Sequence, residues 1–304
     1  RGVWEVSAWP TRWDTSGADV WVPIDASGLL RRAEQGARPL DSALVRYIVE
    51  QGPLAYWPLT NPPSAGLAGP PLVGTRPFRF YLRVQTGGVY LTRPAWQDGD
   101  LADHLEPVVR VAGTRGLATG GVPAGSGTSW SVDWVRTGIG GQDSMQVVTA
   151  GGGSRVTWYV GEDPTVDPRE IYVSVMVEPD DGSPSITILD DTAPAETLFD
   201  DNPHHMRLSA TPSGSDTAWT LYLDGTVLRS GTTSSADGQP KPVTNVAYEW
   251  WVPSDDEDHL ALGHVTVWGA DAPTAADVTE AMLGFPGETA GRRIQRIATA
   301  EGLA

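Results

Sequence analysis

The stretch Ala218-Trp219-Thr220-Leu221-Tyr222-Leu223-Asp224-Gly225-Thr226-Val227-Leu228 decides the class of fold. Asp-Gly stands there between two strand-like runs. Both residues of so tight a turn need positive φ, which Asp and Gly tolerate, so the stretch reads as an antiparallel hairpin.

The same signature continues in both directions. In Ser129-Trp130-Ser131-Val132-Asp133-Trp134 the apolar residues Trp130, Val132 and Trp134 face one way and Ser129, Ser131 and Asp133 the other. That alternation predicts a half-buried antiparallel strand. Val156, Trp158 and Val160 repeat it, and Gly151-Gly152-Gly153 reads as a turn before them. Ile171–Val177 is almost continuously apolar and predicts a central strand. Arg79–Val84, Pro107–Ala112, Ser185–Leu189 and Met206–Ala210 are further strand candidates, and Tyr248–Val252 and Leu260–Trp268 close the sheets. From Leu54 to about Phe285 strands recur at intervals of roughly ten to fifteen residues, the spacing of a sandwich.

Helices are expected at three places. Ala43–Glu50 is capped by Asp41 or Ser42 and stopped by Gly52-Pro53. Pro273–Leu283 has Thr274 as its cap. Gly287–Ala300 carries Glu288 near its positive end and Arg292, Arg293 and Arg296 further along. Near the start, Val3–Val6 and Asp19–Val22 flank a turn at Thr15-Ser16-Gly17. The expected organisation is therefore a β segment, connector and short helix over 1–52, a sandwich over 53–285 and a helical tail over 286–304. Arg1–Val6 already reads as a strand, so a piece of something longer is expected.

Composition narrows function. The formal net charge is -17 and Lys241 is the single lysine. Nucleic-acid binding needs clustered cations to displace counterions, so it is not expected, and an anionic membrane is a poor partner too. The sequence has no cysteine, which leans toward a bacterial or phage source. No stretch approaches the length of a membrane span.

Enzyme chemistry finds little support. A glycosidase needs two carboxylates side by side. Glu178-Pro179-Asp180-Asp181 is the nearest cluster, and Pro179 makes it a strand-ending turn. There is no Gly-x-Ser-x-Gly elbow, and the glycine runs lack the residues of a phosphate loop. His204 and His205 point to opposite sides of a strand, as do His259 and His264, so no transition-metal site is expected. Calcium needs several oxygen ligands. Asp180 with Asp181, Asp190 with Asp191, Asp200 with Asp201, and above all Asp255, Asp256 and Asp258 are the candidates, against the competing reading of solvated loop tips. Trp96, Trp250 and Trp251 are the candidate glycan-stacking residues. Adjacent Trp250 and Trp251 must face opposite sides of a strand, so one of them is free to be exposed.

Four motifs occur in order: Ala55-Tyr56-Trp57-Pro58-Leu59, Trp130–Val135, Trp219–Val227 and Gly263-His264-Val265-Thr266-Val267-Trp268. Together they resemble the laminin-G/pentraxin-like members of the concanavalin A-like superfamily, over roughly residues 54–285. The resemblance implies a mainly β, antiparallel jelly-roll β-sandwich, here with a small N-terminal β segment and C-terminal helices. It also implies carbohydrate binding and a calcium ion at one rim. The superfamily's glucanases carry an E-x-D-x-x-E type strand that this sequence lacks. The flanks Glu5–Asp14, Gly28–Gly36 and Gly284–Ile294 resemble minor tail proteins of actinobacterial phages and prophages. They imply a structural and host-glycan-binding tail module, in a virion or extracellular, whose partners are other tail or virion proteins and host cell-surface polysaccharide. A glycoside hydrolase on the same fold and a secreted bacterial lectin are the alternatives.

Overall fold

A computed structural model describes residues 5–8, 12–13, 20–21, 25–27, 43–59, 68–69, 71–74, 76–83, 89–91, 95–96, 109–110, 115–123, 127–139, 142–163, 170–194, 198, 202–233, 241–251 and 259–283. The chain divides into two compact units, Arg1–Ser42 and Ala43–Ala304. In the first, β1 (Glu5–Ala8) pairs antiparallel with β4 (Asp25–Ser27), and β2 (Arg12–Trp13) pairs with β3 (Val20–Trp21). The expected partner of the run at Asp19–Val22 was Val3–Val6; the nearer Arg12–Trp13 takes that place.

The second unit opens with α1 (Ala43–Glu50). The boundary expected near residue 52 lies before this helix. The physical reason is packing: Val45 and Ile48 of α1 are buried in one cluster with Tyr56, Val135, Trp268, Val278 and Met282.

Short strands follow: β5 (Ala55–Trp57), β6 (Ala68–Gly69), β7 (Phe78–Arg83), β8 (Val89–Leu91), β9 (Ala95–Trp96) and β10 (Val109–Arg110). Longer ones come next: β11 (Arg115–Gly121), β12 (Trp130–Ile139), β13 (Gln142–Gly151), β14 (Ser154–Asp163), β15 (Glu170–Pro179) and β16 (Ile186–Pro194). The last are β17 (His204–Ser213), β18 (Asp216–Leu223), β19 (Thr226–Thr233), β20 (Val243–Trp251) and β21 (His259–Trp268), before α2 (Ala275–Leu283). Among the described residues they form two antiparallel sheets. Sheet I runs β19-β18-β17-β12-β21-β10-β9, with β5 also on β21. Sheet II runs β16-β15-β14-β13-β20-β11-β7-β6, with β8 on β7. Their inward stripes share one hydrophobic core, so the unit is a β-sandwich.

The hairpin at Asp224-Gly225 forms as expected, with φ of 49° and 77°. Asp224 also accepts from His205 N at 2.8 Å and bonds His204 Nδ1 at 2.7 Å, which ties the tip to β17. Gly152-Gly153 links β13 and β14, pairing Gly151 with Ser154. Most tryptophans whose burial is described serve the core: Trp57, Trp130, Trp158, Trp219, Trp250 and Trp268 are almost fully buried. Trp130 and Trp158 meet edge-on across the sandwich at 5.8 Å. On β11 the inward stripe is Gly116, Ala118 and Gly120, all buried. A Cβ on Gly116 would stand 2.0 Å from Trp250 Cζ2, so the indole occupies the space that a side chain there would need.

Two sequence expectations change. β15 is second from the sheet edge rather than central, and its burial alternates, with Tyr172, Ser174 and Met176 half-buried on the outer side. β12 is buried on both faces, not one. The reason is that α1 and α2 cover the outer side of sheet I. α2 begins as expected at Thr274, whose Oγ1 accepts from Asp277 N at 3.2 Å.

Beneath these helices lies a polar layer. Asp133, fully buried, accepts from Arg207 through Nε (2.5 Å) and Nη2 (2.7 Å), and from Trp268 Nε1. Arg207 Nη1 also donates to Pro273 O at 2.5 Å, just before α2. His205 Nε2 lies 3.1 Å from Asp133 Oδ1, off hydrogen-bond alignment, while Nδ1 meets Thr279 Oγ1 at 2.5 Å. Burial alone would raise the Asp133 pKa, but Arg207 and then His205 overcome it and hold the carboxyl far below its ordinary range.

Candidate functional site

The outer face of sheet II carries an open cleft at the C-terminal end of β20. The register builds it. Trp251 faces Arg115 on β11 and Gln142 on β13, and one pair further along Glu249 faces Leu117 and Ser144. Ser144 faces Gly161 on β14, which faces Tyr172 on β15. Outward side chains from β11, β20, β13 and, across β14, β15 therefore converge on a cleft of roughly 370 Å³, lined among others by Arg115, Gln142, Ser144, Tyr172, Glu249 and Trp251.

Trp251 is the large apolar element of this site, 47% exposed. Its neighbour Trp250 is 1% exposed and points into the core. The strand alternation expected from the sequence thus holds, and it removes Trp250 as a stacking platform because no face of its indole is open. Trp96 lies on β9, and its side chain falls outside the described residues. Asp255, Asp256 and Asp258 fall outside them as well, so their expected role in calcium binding stays a proposal. In each of two other acidic pairs one member is engaged by the protein itself. Asp181 accepts from Ser183 N at 2.9 Å, and Asp191 forms a two-point pair with Arg229 at 2.8 and 2.9 Å. Among the described residues no cluster of three or more acidic, His or Cys groups is placed to hold a metal.

The open face is organised by hydrogen bonds. Arg115 Nη2 and Gln146 Nε2 each donate to Glu249, at 3.2 Å, on different oxygens. Tyr172 lies over Gly161: a Cβ there would meet its Oη at 2.7 Å and Asp143 O at 2.9 Å. The missing side chain lets an aromatic ring form one wall of the cleft.

Under the floor sits a second charged group that the sequence reading missed. Arg136 reaches between the sheets to Asp143 Oδ2 (Nε, 2.8 Å), to Glu162 Oε1 (Nη2) and to Leu198 O (Nη1, 2.9 Å). Tyr248 Oη also donates to Asp143 Oδ2. Burial, and then the Asp143 charge, push the Tyr248 phenol well above its ordinary pKa. Asp143 and Glu162 are both buried and both line the cleft. Asp143 and Glu162 lie on neighbouring strands, 19 positions apart in the chain, so a search for carboxylates close in sequence passes over them. The available signal was positional: Arg136, Asp143 and Glu162 each end an inward stripe that is otherwise mostly apolar.

No protein-family model matches the chain, and no curated protein is significantly similar to it. Among solved structures it is similar to the receptor binding domain of botulinum neurotoxin C/D mosaic serotype, at 9% identity and TM-score 0.45, over 76% of this chain and 51% of that one. It is similar to the botulinum neurotoxin serotype D binding domain at 8% identity and TM-score 0.46, over 78% and 52%. A third is the CBM2 module of Lactobacillus casei BL23 phage J-1 evolved Dit, at 11% identity and TM-score 0.43, over 71% and 94%. The chain thus spans about half the length of the toxin domains. Similarity at this level assigns neither family nor function.

Proposed function

We propose that the chain is a glycan-binding module, and not an enzyme, built on a laminin-G-type sandwich and carried by a phage-like tail. The observation that carries the binding reading is Trp251. An indole almost half exposed stands at a cleft whose other outward residues, Arg115, Gln142, Ser144, Glu249 and Tyr172, offer hydrogen-bonding groups. An apolar ring beside planar polar groups suits a sugar, which presents C–H faces and hydroxyl edges. The tail setting rests on the resemblance of the flanks, and with it the partners: other virion proteins and a host-surface polysaccharide. Calcium held by Asp255, Asp256 and Asp258 belongs to the same proposal.

The test is a glycan array and host-cell pull-down with residues 1–304, with and without chelator. Trp251→Ala is expected to remove about 2 kcal/mol of binding, roughly thirtyfold in Kd, as a central aromatic anchor does. Equal binding by the variant and the parent would rule out this cleft. Gly161→Ala is expected to displace Tyr172 and weaken the same binding by about fivefold. Titration of the best array glycan would read that change.

The hydrolase alternative turns on Asp143 and Glu162, which share Arg136. A glycosidase needs one carboxyl protonated as acid while the other stays ionised. Arg136 touches both, so its contacts single out neither carboxyl as the acid. The pair is therefore better suited to organising the cleft than to proton transfer. New reducing ends released from cell-wall glycans, and lost in Glu162→Gln, would reverse this assignment.

A further inference from the structure

Taking the glycan-binding reading as its base, we infer that the Trp251 cleft selects a sugar bearing a protonated amine over one bearing a carboxylate. On the open face Arg115 and Glu249 pair at 3.2 Å and cancel. Under the floor a single guanidinium, Arg136, serves two carboxylates. Asp143 has the better share, with Arg136 Nε and the Tyr248 hydroxyl both on Oδ2. Glu162 has Arg136 Nη2 against Oε1 as an ion pair, but neither of its buried carboxylate oxygens has an aligned hydrogen-bond partner among the described residues. Among the described residues, two carboxylates thus meet one guanidinium beneath the cleft.

A surplus charge shielded from water acts over a longer distance than one at the surface, because solvent and salt screen it less. It attracts a cation placed against Trp251 and repels an anion there. The exposed indole adds to this, since the face of an aromatic ring favours a cation. The net charge of -17 pushes in the same direction at longer range.

The experiment titrates the 304-residue chain with three oligosaccharides of equal length, slightly below neutral pH: glucosamine with free amines, N-acetylglucosamine, and galacturonic acid. The free-amine oligomer is expected to bind about tenfold tighter than the uronic acid, with the neutral one between. The gap should narrow at high salt. Glu162→Gln leaves Arg136 with one balancing carboxylate, so it is expected to fold and to lose most of the amine preference, read as the ratio of the Kd values for the two charged oligomers. Equal binding of all three, tighter binding of the uronic acid, or an unchanged preference in Glu162→Gln would overturn the inference while Trp251-dependent binding stands. No Trp251-dependent binding to any glycan would overturn the underlying reading, and this inference with it.

Discussion

Methionine in place of Arg207 is expected to cost roughly 3–5 kcal/mol of stability, because it strands a charge in the interior. Asp133 is fully buried, and Arg207 meets it through two nitrogens. Methionine fills much of the volume but offers no donor. The carboxylate would keep the Trp268 N–H and the proximity of His205, neither of which replaces a guanidinium. The same substitution frees Pro273 O, which Arg207 Nη1 holds at the entrance to α2. Urea unfolding should show a lower midpoint with an unchanged slope. The double change Arg207→Met with Asp133→Asn is expected to be less destabilised than Arg207→Met alone, since the asparagine oxygen can still accept from Trp268. A single variant within about 1 kcal/mol of the parent would refute this account of the layer beneath the helices.

The second large effect is a loss of stability in mild acid. His264 is fully buried and stands in the left-handed region at φ 49°, where β21 carries one extra residue against β12. Its Nδ1 bonds the Tyr56 hydroxyl at 2.9 Å, and its backbone N–H donates to Pro58 O. Burial, and then the charge of His205, push its pKa down to about 4 from an ordinary value of 6.5. The folded chain therefore keeps this ring neutral where the unfolded chain takes up a proton. The contribution is fully present above the unfolded value and is lost as pH falls from 6.5 toward 4. A displacement of that size corresponds to about 3 kcal/mol. Asp133 adds a further loss at lower pH: its folded pKa lies below 3.8, so its contribution fades as pH falls beneath that value. Denaturation at a series of pH values should show the slope between 6.5 and 4. His264→Asn tolerates positive φ and does not titrate, so it should be less stable at neutral pH but much flatter toward acid. Parallel curves for the parent and His264→Asn would place the acid sensitivity elsewhere.

The polar layer and the cleft floor mark where reading along the chain stopped. Asp133 sits in an alternating run and reads as the solvent face of a half-buried strand. Its face is instead covered by α1 and α2, and the charge is matched by Arg207 from β17. Nothing near Asp133 in sequence announces a helix more than 140 positions later. The Arg136 group is the same case: three strands bring it together, and no two of its charges stand within six residues of each other. Trp250 and Trp251 show the opposite limit. The alternation implied that they part, but only the direction of the core settles which one is open.

What the sequence determined by itself was therefore everything that depends on near neighbours. The period of two named the strands, Asp224-Gly225 named its hairpin, and Thr274 marked the start of α2, because dihedral preference and local hydrogen bonding act over a few residues. The tertiary structure alone decided which side of sheet I lies under helices, which carboxylates share Arg136, and that Tyr172 can lie across Gly161. Those outcomes turn on strand order and register, and both are set by burial and pairing between segments far apart in the chain.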